Sequence, residues 1–443
     1  MTQWKKVKID FPTIKLGNFI EPIKSTVYDL KVENPIVYGV TNKEGIVQTG
    51  KPSSKDISNY IMLENDCFAF NPYRVNVGSI GINDRNITGC VSPAYVVFKT
   101  KNGLLPKFLY FYLKSDYGIH LINWYGNRGG VRNALRYSDL CDIDIPDIRE
   151  IDQHAFLNKF TYVSNTVNEL TGELEKQKSY IKQLRQNILQ DAIEGKLTAD
   201  WRKNHPVIKG DPNYDAETLF EQIQKEKTDK KQKKLPPIMA EEKPFDIPEG
   251  WKWVKLGNVC EGFIYGTSAK SSPAGICPVL RMGNIQNGKI DWEKLVFSSD
   301  VEEIEKYKLR KFDLLFNRTN SREMVGKTAI FEAEKEAIYA GYLVRFRPIC
   351  SNSYFINIVL NSKTHREWCN LVKVDALGQS NINAEKLRNF VAPFPPFVEQ
   401  EEIVNKVGHL LAKVTELENQ IAERENMAKQ LMQSILKDAF GEG

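Results

Sequence analysis

At 443 residues, with 42% hydrophobic and 26% charged side chains, the chain is too long for one core and too apolar to be disordered, so two to four folded units are expected. A net charge of +5 excludes a histone-like basic protein and requires any nucleic-acid surface to be local. Seven scattered cysteines without a Cys-x-x-Cys pair, a start without an apolar h-region and no run of 18 apolar residues predict a reducing, cytoplasmic setting, with no metal set and no membrane span.

Residues 1–150 alternate β-rich runs with turns: Pro35-Ile-Val-Tyr-Gly-Val40, Cys67-Phe-Ala-Phe70 and Tyr95-Val-Val-Phe98. A helix over Pro106–Lys114 and a strand at Ile143–Pro146 complete a mixed α/β domain. A long helix follows over 151–197, stopped near Gly195. Residues 198–247 read as a linker, with an amphipathic piece at Glu217–Ile223, a lysine run from Lys225 to Lys234 and prolines at 236, 237 and 244. A second mixed α/β domain spans 248–396, and a second long helix spans 397–443.

The two helices repeat one pattern. In the first, Phe156, Phe160, Val163, Val167, Leu170, Leu174, Ile181, Leu184 and Ile188 alternate steps of four and three, interrupted at Gln177. Adding 247 gives Ile403, Val407, Leu410, Val414, Leu417, Ile421, Ala428, Leu431 and Ile435, interrupted at Arg424. Aligned without a gap, 146–193 and 393–440 share 15 of 48 residues, too many for coincidence. The globular parts echo each other as well. Lys15-Leu-Gly-Asn18 matches Lys255-Leu-Gly-Asn258, and Asp66 to Asn71 followed by Val77-Gly78 parallels Asp313 to Asn317 followed by Val325-Gly326.

Domain plus helix, twice, suggests a pseudo-twofold arrangement. Helices of roughly 65 to 70 Å pairing antiparallel would bring Phe156 near Ile435 and Ile188 near Ile403, with the domains at opposite ends. A parallel pair would bring the domains together at one end. A lone helix pair buries only a narrow stripe, so further helices packed on its outer faces would add stability.

In Pro248-Glu-Gly-Trp-Lys-Trp-Val-Lys-Leu-Gly257, Asp313-Leu-Leu-Phe-Asn-Arg-Thr-Asn-Ser321, Gly378-Gln-Ser-Asn-Ile-Asn383, Pro393-Phe-Pro-Pro-Phe-Val-Glu-Gln400 and Ile188-Leu-Gln-Asp-Ala-Ile-Glu-Gly-Lys-Leu197, the chain resembles the specificity subunits of type I restriction-modification systems. Asn71-Pro-Tyr-Arg-Val-Asn-Val-Gly-Ser-Ile-Gly81 and Val91-Ser-Pro-Ala-Tyr95 are similar to phrases of the family's target recognition domains. The first half departs from the pattern, with Gln3-Trp4 in place of a Pro-Glu-Gly-Trp entry and Ile151-Asp-Gln153 in place of Val398-Glu-Gln400. The resemblance implies a non-catalytic subunit that reads a bipartite, asymmetric DNA target, one domain per half-site. It also implies docking of two adenine-methyltransferase subunits, which carry S-adenosylmethionine, and through them restriction subunits, which use ATP and Mg. No cofactor is expected in this chain.

Catalytic motifs are missing from the sequence. Asn71-Pro72-Tyr73 has one proline where an adenine methyltransferase motif has two, and Gly78-Ser-Ile-Gly81 lacks the spacing of a cofactor loop. Pro146-Asp147 has no Glu-x-Lys nearer than Glu194-Gly-Lys196 to complete a nuclease set. DNA contact is better motivated, because arginine and asparagine bond base edges bidentately and a Gly-Gly lets backbone approach a phosphate. The candidates are Asn71, Arg74, Asn76, Arg128 and Arg132 in the first domain. In the second they are Arg281, Asn284, Asn317, Arg318, Asn320, Arg322, Lys327, Gln379, Ser380 and Asn381. Each serves equally well as a turn cap, and Arg318 and Asn320 as internal hydrogen-bonders. Two other classes compete: a self-contained restriction-modification enzyme, which the missing motifs oppose, and a coiled-coil adaptor, which leaves the arginine and asparagine loops unexplained.

Overall fold

The computed structural model describes residues 12–49, 56–127, 134–227, 234–376 and 378–440. It is a mixed α/β chain in two compact units, residues 1–175 with 422–443, and residues 176–421. Among the described residues no helix is long and apolar enough to cross a membrane.

In the first unit an antiparallel sheet runs in the order Ile20–Pro22, Val96–Thr100, Phe68–Phe70, Ile80–Ile82. Phe68, Phe70 and Phe98 are fully buried, and the Phe68 and Phe98 rings stack 4.7 Å apart. A second sheet places Val37–Thr41 parallel to Cys90–Val91, flanked by Gly45–Gln48 and Ile61–Met62. The second unit repeats both. Its antiparallel sheet runs Cys260–Tyr265, Leu343–Pro348, Leu314–Asn317, Thr328–Ile330, and Cys277–Leu280 lies parallel to Ile338–Tyr339 beside Val296–Ser298. Each unit also has a two-stranded closing ladder, Thr13–Lys15 with Asp144–Pro146 and Lys252–Lys255 with Val391–Phe394. The duplication read from the helices therefore extends to the topology of the domains.

The two long helices are Glu150–Ile193 and Phe397–Phe440, 44 residues each and about 66 Å long. The first ends where Lys196 N–H donates to Asp191 C=O, across Gly195 at φ +73°. A Cβ at Gly195 would meet Pro248 Cγ at 2.6 Å, so glycine is required both for the left-handed cap and for the close approach. Within the first unit Phe156 and Ile435 line one cavity, and Val167 and Ala428 another. Within the second, Arg185 pairs with Glu418 at 3.0 Å and Lys406 Nζ donates to Leu197 C=O. In each unit, then, the two helix segments run in opposite directions.

The seam is narrower than its periodicity predicts. One heptad position is buried at Phe160, Leu174, Ile181 and Ile188, and at Val407, Val414, Ile421, Ala428 and Ile435. Of the other position, Ile403 is buried, Phe156, Val163 and Leu410 are half-buried, and Val167 in the first row is half-buried too. Leu170, Leu184, Leu417 and Leu431 are 41%, 43%, 43% and 47% exposed, which corrects their assignment to the helix-pair core. Two helices meet along one line, so the position flanking that line has no partner to cover it. Phe156 and Phe160 also face their own domain, packing on the rings of Phe108 and Phe111.

A matched clamp fastens each helix to its domain. Gln153 Oε1 accepts the Leu105 N–H at 2.9 Å, and Gln400 Oε1 accepts the Asn352 N–H at 2.9 Å. Both the glutamines and their partners are offset by 247 residues. The segment 198–247 does more than tether. It carries helices Ala199–Asn204 and Ala216–Glu226, the latter burying Leu219 and Ile223, and Lys227 Nζ donates to Gly257 C=O.

His365 is buried against Phe316, Phe390 and Trp368. Burial, aided by the Arg366 charge, pushes its imidazole down to about 3. It stays neutral in the fold and takes up a proton near pH 6.5 once unfolded. Stability should therefore fall as pH drops from about 6.5 toward 3, at up to about 1.4 kcal/mol per pH unit from this residue. His365→Leu should remove that component, shrinking the loss in urea midpoint between pH 7 and pH 5. An identical loss in the variant would disprove the assignment.

Candidate nucleic-acid interface

Asn71, Arg74 and Asn76, and Asn317, Arg318, Asn320 and Arg322, lie on the segment that follows the buried inner strand of each antiparallel sheet. In the first domain this loop runs from Asn71 to Gly78, in the second from Asn317 to Gly326. Strand and loop together are bracketed by left-handed residues, Asp66 (φ +57°) and Gly78 (φ +82°) against Phe312 (φ +72°) and Gly326 (φ +90°). The offset between copies is 246 residues before the loop and 248 after it, so the second loop is two residues longer. The frame is shared and the loop differs.

In the first loop Asn71 is half-buried and its Oδ1 accepts the Tyr73 N–H at 2.9 Å, a turn cap. Arg74 is exposed and makes no side-chain hydrogen bond or ion pair among the described residues. Asn76 is half-buried, and its carbonyl accepts from the Asn123 amide at 3.1 Å, tying the loop to helix Asp116–Gly126. Tyr73 and Val77, neither of them among the expected DNA contacts, are 63% and 59% exposed on the same loop. Arg128 and Arg132 lie outside the described residues. The chain on either side of them is anchored here, since Ala134 N–H donates to Gly126 C=O and Leu135 N–H to Pro72 C=O.

In the second domain Thr319–Asn320, Gln379–Asn381 and Val374–Ala376 form a three-stranded sheet in that order. It brings Arg318, Asn320, Arg322, Gln379 and Asn381 together from segments some 60 residues apart. Arg322 and Gln379 are exposed, with Arg322 in a loose 3.6 Å pair with Asp375 that contributes little. Asn320 Oδ1 caps the Ser321 N–H, and the Asn381 amide donates to Thr319 Oγ1 at 2.7 Å. Arg281 is exposed and donates to Lys294 C=O at 3.1 Å. Lys327 donates to Gln286 Oε1 at 3.1 Å, and burial, followed by the Arg366 charge, lowers its ammonium.

Three candidates turn inward. Asn284 is buried, accepting the Arg281 N–H and donating to Asp291 C=O and Glu293 C=O at 2.9 and 3.0 Å. Ser380 is buried, its hydroxyl donating to Asp375. Their hydrogen-bonding capacity is spent inside the protein, so neither reaches a base. Asn317 is fully buried too, which corrects its candidacy, and neither of its amide atoms is hydrogen-bonded among the described residues, an arrangement that costs about 1–3 kcal/mol.

The side chain that sequence reasoning missed here is Tyr265. Its ring lies under the Arg318 guanidinium, 4.7 Å from ring centroid to Cζ. The two are 53 residues apart in sequence, and no local pattern links them.

Residues 248–424 match the family model described as the type I restriction modification DNA specificity domain. The chain is 24% identical over 326 residues to the type I restriction enzyme EcoEI specificity subunit of Escherichia coli, covering 68% of this chain and 54% of that protein. The chain thus spans about half the length of that relative. It is 23% identical over 442 residues to the E. coli EcoDI specificity subunit, covering 98% of this chain and 89% of that one. A solved chain described under complex assembly and conformational transition of the type I R-M system shares its fold, with a TM-score of 0.61 at 18% identity over 98% of this chain and 99% of that one. With two copies of one domain topology, each fastened to a long helix, the chain is similar along its length to type I restriction-modification specificity subunits, and its residues 248–424 match that family's DNA specificity domain.

Proposed function

We propose that the chain is the non-catalytic DNA reader of a restriction-modification complex, each α/β domain recognising one half of a bipartite, asymmetric duplex target. The observation that carries this reading is the shared frame with unlike loops: strand order and helix clamp repeat, while the Asn71–Gly78 and Asn317–Gly326 loops differ in length and side chains. Equal frames hold two readers alike, and unequal loops present different donors to base edges. The proposal includes two docked modification subunits, which supply S-adenosylmethionine chemistry on adenine, and restriction subunits, which use ATP and Mg. Four exposed leucines support the docking. Leu170 and Leu184 recur as Leu417 and Leu431 at the 247-residue offset, so each helix carries the same apolar pair. Two like surfaces suit two copies of one partner.

Mapping of methylated adenines in a host carrying the system tests this. The native chain should give two dissimilar half-sites at a constant spacing, and a contiguous or palindromic motif would overturn the reading. Replacing the four leucines together by serine should abolish the methylated motif while leaving the isolated chain's urea midpoint nearly unchanged. Retention of the motif by that variant would remove the docking role.

A further inference from the structure

Arg318 is held at almost every atom that can hold it. Its N–H donates to Tyr342 C=O at 3.0 Å, its carbonyl accepts the Ile382 N–H at 2.8 Å, and its Nε donates to Gly341 C=O at 3.0 Å. The guanidinium lies over the Tyr265 ring. That ring is itself pinned, because the Tyr265 hydroxyl accepts the Ala384 N–H at 3.0 Å and its backbone is paired with Val344. The backbone just beyond it is tightly packed: a Cβ on Gly266 would meet Tyr339 C=O at 2.1 Å.

What remains is the pair of terminal nitrogens. Arg318 is only half-buried, and its two Nη groups have no hydrogen-bond or ion-pair partner among the described residues. Neighbouring arginines with structural roles use theirs: Arg347 Nη2 pairs with Asp313 at 2.6 Å, and Arg366 Nη1 donates to Val325 C=O at 2.6 Å. Nearby carboxylates are engaged elsewhere, Asp375 with Ser380 and Arg322, and Glu303 with Thr267.

We infer that Arg318 is a prepositioned two-donor fork for a pair of acceptor atoms on the DNA, and that Tyr265 is its positioning residue. The inference rests on the DNA-reading role proposed above and deepens it. A guanidinium presents parallel N–H donors that match either guanine O6 and N7 or two oxygens of one phosphate. Both sources offer the same paired acceptors. Immobilising the side chain during folding removes an entropic cost that would otherwise fall on binding.

The test uses the assembled complex with its modification subunits and measures affinity for a duplex carrying the methylated motif against a shuffled duplex. Arg318→Lys keeps the charge and loses the fork, and should weaken binding about tenfold or more. Tyr265→Leu should weaken it comparably. The double variant should be no worse than the weaker single, because both changes remove one interaction. Tyr265→Phe keeps the ring and should stay within about threefold of native. A preserved preference for the first domain's half-site serves as the folding control in every variant. If a guanine is read, 7-deazaguanine at one position of the second half-site reproduces the loss. If a phosphate is held, a single methylphosphonate does so instead. Either result supports the fork. Native affinity in Arg318→Lys, or losses that multiply in the double variant, would overturn it while leaving the DNA-reading role intact. A native complex unable to distinguish the two duplexes would overturn that role, and the inference with it.

Discussion

Replacing Arg202 with methionine should destabilise the chain by about 3–5 kcal/mol, the range for stripping the partner from a buried charge. The charge is Glu399, 2% exposed in the first turn of the second long helix. It accepts from Thr198 Oγ1 at 2.7 Å, from Trp251 Nε1 at 2.7 Å and from Arg202 Nη1. Arg202 also donates from Nη2 to Gly195 C=O at 2.7 Å, so one guanidinium ties the end of the first long helix to the start of the second. Methionine fills much of the same space and leaves the carboxylate with two neutral donors, which do not offset its desolvation. Adding Glu399→Gln should recover most of the loss, since no charge then remains buried. Urea unfolding followed by tryptophan fluorescence reads both variants, Trp251 lying in the network itself. A single-variant loss below about 1 kcal/mol would show that the pair contributes no more than an exposed one.

The glutamine clamps should give matched losses. Gln153→Leu strands the Leu105 N–H together with the Gly103 and Ile148 carbonyls, which the amide reaches at 3.2 and 3.1 Å. Gln400→Leu strands the Asn352 N–H, the Ser351 hydroxyl and Pro395 C=O, each at 2.9 Å. Unsatisfied buried groups cost about 1–3 kcal/mol each, and partial relaxation brings the expected loss to about 2–4 kcal/mol per variant. Hydrogen exchange should rise at Leu105 in one variant and at Asn352 in the other, each leaving the other site protected. Simultaneous exposure of both amides would show that the clamps are not local.

The repeat breaks down at the position adjacent to each clamp. Glu399 is buried and ion-paired, whereas its counterpart Asp152 is exposed and, among the described residues, pairs with Arg149 three residues away. Similar carboxylates at equivalent positions thus play different parts, because Thr198, Arg202 and Trp251 close over the second.

The amino-acid sequence by itself determined the duplicated helices, the stop at Gly195, the mixed α/β character of both domains and the order of the two loops that open on Asn71 and Asn317. Heptad period, turn chemistry and strand pattern are properties of neighbouring residues, so they survive without a third dimension. The tertiary structure alone decided which heptad position lies inside, turned Asn284 and Ser380 inward, and set Tyr265 beneath Arg318. Each of those outcomes depends on which distant segment closes over a side chain. A leucine at Leu184 and an isoleucine at Ile181 have the same local credentials, and only the line along which the helices meet separates the exposed one from the buried one.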